Sequence, residues 1–330
     1  MLMKKITDAR PKIALFAYSQ PGYACLEELI ANKANVSAVF THIDAEDEGI
    51  WFDSVFELAK ENNIKVYRSK KVDEEALKIF AASEADIIIS AYYRAIIPDE
   101  ILNAAKLGAY NLHGSLLPKY RGRACINWAV LNGEKQTGVT MHVMTAKADK
   151  GDIIAQEAFP IEINDTGHTV FLKVSQAVRI IIKKYLPVLE NGTAKHSIQD
   201  ESQATKFGRR CPADGIIDWT KDANTIYNLI RSVTHPFPGA FTFFAKQKLF
   251  IWWAEPILDS VLREKIDYTK YKPGDIIKLD DKVIIKCGSN CLLLKKVAWE
   301  QQPDKLPNDA VFKSTLKTGA HLGEVLIESE

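Results

Sequence analysis

The sequence predicts an α/β chain, with a doubly wound, mostly parallel sheet in its N-terminal part and a smaller β-rich domain, a barrel or sandwich, behind it. Three observations carry this. Short runs that are apolar on both faces, such as "KIALFA" and "ADIIISA", read as strands buried between two layers. Segments with apolar residues every three or four positions alternate with those runs, as the crossovers between parallel strands require. After residue 206 the pattern changes to short strands divided by Gly, Asp and Lys turns.

The elements follow in order. "KIALFAYSQPGYACLEELIANK" opens as a buried strand, breaks at Pro21-Gly22 and continues as a helix on the spacing of Leu26, Leu29 and Ile30. "NVSAVFTH" is a second strand and "WFDSVFELAKENN" an amphipathic helix. "IKVYRS", "DEEALKIFAAS" and "ADIIISAYY" read as strand, helix and strand. "PDEILNAA" starts a helix, with Pro98 where no backbone donor is needed and two acids in the first turn. "GAYNLHGS" is one more strand and its exit. "INWAVLNGE" is helical, and "TGVTMHVMT" and "DIIAQEAFPI" are strands. "TGHTVFLKVSQAVRIIIKKYLPVLENG" is a long helix with Thr166 as its cap and Gly192 past its end. The polar stretch from Thr193 to Thr205 reads as a connection, which divides the chain into 1–198, a linker at 199–207, and 208–330. In the last part "ANTIYNLIRSVTH" is a helix, "PFPG" a rigid turn, and the segments around "FIWWAEPIL" and "KVIIKCGSNCLLLKKVAW" short strands. Phe250, Trp252 and Trp253 could cover a core or the partner in a homodimer; the core is the preferred reading.

Composition excludes several classes. The 330 residues are 47% hydrophobic and 26% charged, with 43 Lys+Arg against 42 Asp+Glu, so no overall field favours nucleic acid or an anionic membrane. The charged start "MLMKKITDARPK" lacks the apolar stretch of a signal peptide, and no apolar run approaches a membrane span. The five Cys are scattered and odd in number, which argues against a disulfide framework and for a cytoplasmic, reducing compartment. Cys287 and Cys291 flank "GSN" and could suggest a metal clip. No second pair of soft ligands accompanies them, and two strand residues either side of a hairpin turn are the better reading; no metal is expected.

Ligands of open parallel sheets bind beyond the carboxyl ends of the strands. Asn111 and His113 stand where the "GAYNLHG" strand ends, and the period of two puts both on one face. An amide can donate to an oxygen gaining charge and an imidazole can move a proton near neutrality, a pair suited to attack on a carbonyl. The same residues could equally satisfy backbone groups at a structural strand end. In "TAKADKGDIIAQ", Asp149 and Asp152 flank Gly151; either could orient an imidazole or simply form the turn. Spacing does not choose between them. The Gly-rich dinucleotide fingerprint, the P-loop, HExxH and GxSxG are all absent. Lys119, Arg121 and Arg123 follow Pro118 in a basic turn, and Arg209 and Arg210 precede Asp218 and Trp219, residue types that suit a diphosphate and a base or else a surface ion-pair cluster.

The segment "NLHGSLLPKYRGRACINWAVLNGEKQTGVTMHVMTAKADKGDIIAQ" closely resembles the 10-formyltetrahydrofolate-dependent formyltransferases, through Asn-x-His, the following Ser-Leu-Leu-Pro and a later Asp before Gly. The likeness extends through "FGRRCPADGIIDW" and "IRSVTHPFPGAF". It implies a Rossmann-like formyltransferase fold with an OB-like C-terminal domain, and catalysis by Asn111, His113 and Asp149. Folate contacts would fall on Ala95, Ile96, Ile97 and Arg123, and on Thr145, Ala146, Lys147, Ala148 and Asp149. Tyr93, Arg209, Arg210 and Trp219 would take the second substrate. "SAYYRAII", "LPKYRGRACINW" and "FGRRCP" resemble the sugar-nucleotide branch that formylates UDP-4-amino-4-deoxy-L-arabinose, an activity of lipopolysaccharide (lipid A) modification. The implied partners are therefore 10-formyltetrahydrofolate and a nucleotide-linked amino sugar. The fused members of that branch carry a second, decarboxylating dehydrogenase domain; this sequence stops before one, as expected either of a stand-alone enzyme or of a domain cut from a bifunctional protein. A methionyl-tRNA formyltransferase is the rival within the family. It is disfavoured by Asp44, Glu46, Asp47 and Glu48 in "THIDAEDEGIW", which would repel tRNA phosphates. A non-catalytic folate-binding module is the rival from another class.

Overall fold

The computed structural model describes residues 10–44, 49–257, 264–300 and 318–323. Its chain forms two compact units. The first takes in residues 1–125, 136–160 and 171–208, the second residues 126–135, 161–170 and 209–330.

Along the first part of the chain run β1 (Lys12–Ala17), α1 (Ser19–Ala31), β2 (Asn35–Thr41), α2 (Val55–Glu61), β3 (Val66–Arg68), α3 (Glu74–Ser83), β4 (Ile87–Ala91) and α4 (Asp99–Ala104). They continue with β5 (Ala109–His113), β6 (Arg121–Gly122), α5 (Cys125–Leu131), β7 (Gln136–Val143), β8 (Ile153–Pro160), α6 (Gly167–Glu190) and β9 (Lys206–Phe207). Seven strands make one sheet in the order β3-β2-β1-β4-β5-β7-β8. The first five pair in parallel, whereas β7 lies antiparallel to β5 and to β8. Strand order reverses between β1 and β4, the place where an open α/β sheet leaves a crevice.

Local chemistry explains the elements. Ile13–Ala17 and Ile87–Ala91 are buried throughout because helices cover both faces of the sheet. The first helix starts earlier than the expected break at Pro21-Gly22: α1 begins at Ser19, and Pro21 sits in its first turn, where its missing N–H costs nothing. Gly22 is closely fitted there, since a Cβ would lie 3.1 Å from the Ala17 and Ala91 backbones. Ser54 and Asp73 cap α2 and α3 with bonds of 3.3 and 2.9 Å to Glu57 N and Ala76 N. Thr166 caps α6 as expected, in reciprocal bonds of 2.9 and 3.1 Å with Thr169. The stretch expected as a linker is bound in place: Ser197 bridges to Ile153, and β9 pairs in parallel with β6.

In the second unit, α7 (Ala223–Val233), capped by Asp222, precedes β10 (Ala240–Phe244), β11 (Gln247–Pro256), β12 (Ile276–Leu279), β13 (Lys282–Lys286) and β14 (Cys291–Trp299). These strands form an antiparallel sheet in the order β10-β11-β14-β13-β12. Ile226, Tyr227 and Ile230 of α7 share one core with Leu249, Ile251, Leu292 and Val297. Cys287 belongs to that core and Cys291 to a second cluster, around Ile257, Ile266 and Ile277, so the two thiols are packing residues rather than a clip. Trp253 packs against the core and Trp252 is buried. No described helix is long and apolar enough to cross a membrane.

Candidate active site

The carboxyl end of β5 and the turn between β7 and β8 build the site, both in the first unit. Asn111 and His113 project from the same face of β5, and the antiparallel register sets His142 of β7 opposite Asn111. His113 is 7% exposed. Its Nε2 lies 2.8 Å from the Tyr120 carbonyl, which can only accept, so Nε2 carries a proton. The other nitrogen, Nδ1, faces Asp149 Oδ1 at 3.5 Å.

Asp149 reaches the imidazole because its backbone is left-handed, with φ 60°. The turn behind it is tight: a Cβ on Gly151 would come within 1.9 Å of the Val143 carbonyl oxygen, so only glycine fits. The carboxylate accepts the Gly122 N–H at 2.9 Å and approaches His142 Nε2 to 3.7 Å. Burial works to raise the Asp149 carboxyl, but the two imidazoles and the Gly122 N–H outweigh it and hold it down at about 2. Burial pushes the His113 pKa below its usual value, against the opposing pull of Asp149 and the Tyr120 carbonyl.

His142 is the member that the sequence reading lacks. In the neutral ring Nδ1 donates to the Val143 carbonyl at 2.8 Å, which leaves Nε2 as an acceptor for the Asn111 amide at 3.2 Å. The backbone thus fixes the His142 tautomer, and the tautomer turns the Asn111 NH2 toward His142 with one N–H to spare. A polar residue within the apolar strand "TGVTMHVM" was the available signal. Its significance depends on an antiparallel register that local sequence does not carry.

The other expected residues divide. Ile96 is 91% exposed in the segment after β4, whereas the Ile97 side chain is buried in one cluster with Phe16 and Ile101. Ala95 is half-buried. Arg123 is exposed and reaches the Arg94 carbonyl at 3.5 Å, next to that segment. Thr145, Ala146, Lys147 and Ala148 form an exposed turn before Asp149, closed by a 2.9 Å bond from Thr145 Oγ1 to the Lys147 carbonyl. Tyr93 stacks on His42 at 4.2 Å and meets Phe16 edge-on, so its ring is largely taken up by packing. Asp152, which spacing could not separate from Asp149, points elsewhere and lies 3.8 Å from His196. In the acidic stretch, Asp44 accepts from Tyr18 at 2.8 Å, while Glu46, Asp47 and Glu48 lie outside the described residues.

In the second unit Arg209 is exposed, and Arg210 lies over the Trp128 ring at 4.8 Å with its Nε buried and without a partner. The expectation for Trp219 is corrected. It is 4% exposed, sits in the core of the β-rich unit and donates its indole N–H to Thr242 at 3.0 Å. Alternation in "GIIDW" already pairs Trp219 with the buried Ile217 on one inward face.

Two family models match the chain. Residues 12–195 match the formyl transferase family, and residues 211–309 match the formyl transferase C-terminal domain. Among solved structures, an N-formyltransferase from Helicobacter canadensis, in complex with folinic acid and dTDP-3-aminofucose, is 21% identical. It superposes with a TM-score of 0.68, over 86% of this chain and 99% of its own. WlaRD, a sugar 3N-formyl transferase, is also 21% identical, with a TM-score of 0.64 over 90% of this chain and all of its own. A 4-N formyltransferase from Francisella tularensis is 20% identical, with a TM-score of 0.59 over 74% of this chain and 97% of its own. At such identities these likenesses speak for the fold. The first family match takes in more than half of the sequence and all of Asn111, His113, His142 and Asp149, and on that ground the chain belongs to the formyl transferase family.

Proposed function

We propose that the protein transfers the formyl group of 10-formyltetrahydrofolate to the primary amine of a nucleotide-linked amino sugar, with UDP-4-amino-4-deoxy-L-arabinose as the first substrate to test. The observation that carries this reading is the convergence of Asn111, His113 and Asp149, from β5 and the β7–β8 turn, in a chain of the formyl transferase family. Two structural neighbours were solved with a folate derivative and a dTDP or dTDP-sugar ligand, which supports a nucleotide sugar and a folate as the substrate pair.

In this reading the neutral amine attacks the formyl carbon and a tetrahedral intermediate forms. The free N–H of Asn111 donates to the developing oxyanion, an interaction worth about 3 kcal/mol in the transition state. His113 takes the amine proton on Nδ1, the nitrogen that the Tyr120 carbonyl leaves open. The imidazolium so formed faces the Asp149 carboxylate at 3.5 Å and is stabilised by it until the proton passes to the departing folate nitrogen. The exposed Ile96, the Arg123 guanidinium and the 145–148 turn are the residues proposed to hold the folate. Arg210, whose Nε lacks a hydrogen-bond partner, and the exposed Arg209 are the residues proposed to meet a phosphate of the sugar nucleotide.

The test is a formyl-transfer assay with 10-formyltetrahydrofolate and, in parallel, UDP-linked and dTDP-linked 3-amino and 4-amino sugars and charged methionyl initiator tRNA. Formylation of a sugar nucleotide supports the proposal. Formylation of tRNA alone, or folate binding with no transfer to any amine, overturns it.

A further inference from the structure

The stretch from Gln199 to Phe207 makes a set of bonds that a passive connection would not need, all within the first unit. Gln199 is 5% exposed. Its side-chain NH2 donates to two backbone carbonyls of the turn that bears the carboxylate, Asp149 O at 2.9 Å and Gly151 O at 2.7 Å. Its carbonyl oxygen accepts from Arg121 Nε and Nη2 at 3.2 and 2.7 Å. Arg121 is itself buried and closes a two-pronged ion pair with Glu201 at 2.7 and 2.9 Å. Lys150, between the two carbonyls that Gln199 holds, lies 3.5 Å from the same Glu201.

The other side of Arg121 matters as much. Its neighbours in sequence are the two residues whose backbones touch the candidate catalytic pair: Tyr120 O receives His113, and Gly122 N donates to Asp149. Thr205 and Phe207 fasten this stretch again, through Tyr120 N to Thr205 Oγ1 at 2.8 Å, Arg121 N to Thr205 O at 2.9 Å and Arg123 N to Phe207 O at 3.1 Å. Two loops that are remote in sequence are thereby tied to one strap.

We infer that Gln199, with Arg121 as its anchor, is a positioning residue that fixes the Asp149 carboxylate against the His113 imidazole by clamping both loops to one another. The inference rests on the proposed roles of His113 and Asp149. The reasoning is geometric. A carboxylate aimed by a left-handed residue moves with its backbone, and a shift of about 1 Å in a reacting group can cost roughly 100-fold in rate. Among the bonds described, the Gln199 amide alone holds the 149 and 151 carbonyls. A carboxylate in place of that amide would keep the bonds from Arg121 but could not donate to either carbonyl.

Two variants and two readouts test it. Gln199→Leu removes both sets of bonds, and Gln199→Glu removes only the donors while preserving the Arg121 pair. The first readout is the NMR titration of the His113 ring, whose surroundings are Asp149, His142 and the Tyr120 carbonyl; it requires no substrate. Both variants should shift the His113 midpoint downward, toward that of Asp149→Asn, by at least half of the difference between Asp149→Asn and the wild type. The second readout is formyl transfer, in which kcat should fall at least tenfold with the KM for folate changed less than threefold. A His113 midpoint equal to the wild type in folded Gln199→Glu protein overturns the inference. A shifted midpoint in an enzyme whose wild type formylates no amine leaves the strap standing and overturns only the functional reading.

Discussion

Replacing Asp149 by Asn isolates the charge of the carboxylate from everything else it does. Asn tolerates a left-handed backbone, so φ 60° is retained, and its side-chain oxygen can still accept the Gly122 N–H. What is lost is the negative charge 3.5 Å from His113 Nδ1. At an effective dielectric of about 20, a pair of unit charges at that separation attracts by roughly 4–5 kcal/mol. The carboxylate is partly solvated and is shared with His142, so about half of this, ~2.3 kcal/mol, is a reasonable working value. That lowers the His113 midpoint by about 1.7 units and slows the step that passes through the imidazolium by about 50-fold. The assay is kcat for formyl transfer at saturating folate and amino sugar, with the His113 titration followed by NMR on the same samples. A fall in kcat of less than threefold, or an unchanged midpoint in a protein with normal melting, would refute the claim that Asp149 acts electrostatically on His113.

Further outcomes follow from the same geometry. Asn111→Ala should lower kcat by about 10²- to 10³-fold with melting temperature little changed, as expected for an oxyanion donor; near-normal turnover would remove Asn111 from the mechanism. Gly151→Ala should destabilise the fold by more than about 2 kcal/mol in urea titration, because its methyl would meet the Val143 carbonyl oxygen at 1.9 Å and the turn cannot yield without moving Asp149. The His113 midpoint, lowered by burial, implies that the unfolded chain takes up a proton before the folded one as pH falls below about 6.5. Stability should therefore decline as pH drops from 6.5 toward the folded midpoint, and His113→Gln should flatten that decline in denaturation curves. For Asp149 the window lies lower. Its stabilisation is present above the ordinary carboxylate range near 3.8 and is lost as pH falls toward about 2.

Much of the sheet was legible in the sequence because buried parallel strands announce themselves. Runs such as "KIALFA" and "ADIIISA" have no polar face, and Thr166 stands where a helix cap belongs. The pair at the end of β5 was legible for the same reason, since a period of two is local. Asp149 was not separable from Asp152 by spacing, because a turn aims its side chains by backbone dihedral; the left-handed φ of Asp149 and the His196 contact of Asp152 decide it. His142 escaped because it meets Asn111 only through strand pairing. Trp219 was misread in the other direction: an aromatic residue beside arginines suggested a ligand platform, yet its position in an alternating run makes it core.

The limits of the N-terminal family match and of the bonds around the site do not coincide, and this bears on how the protein can be dissected. A fragment ending at residue 195, where the match stops, would retain Asn111, His113, His142 and Asp149 but forfeit Thr205, which Tyr120 and Arg121 both grip, and Phe207, whose carbonyl receives Arg123. Gly122 also lies so near Phe207 that a methyl there would come within 2.2 Å of its carbonyl oxygen, a sign of how closely the two edges are fitted. A piece that keeps these bonds thus runs past the homology boundary to at least residue 207, and inactivity of a shorter one would report a severed brace rather than a missing catalyst.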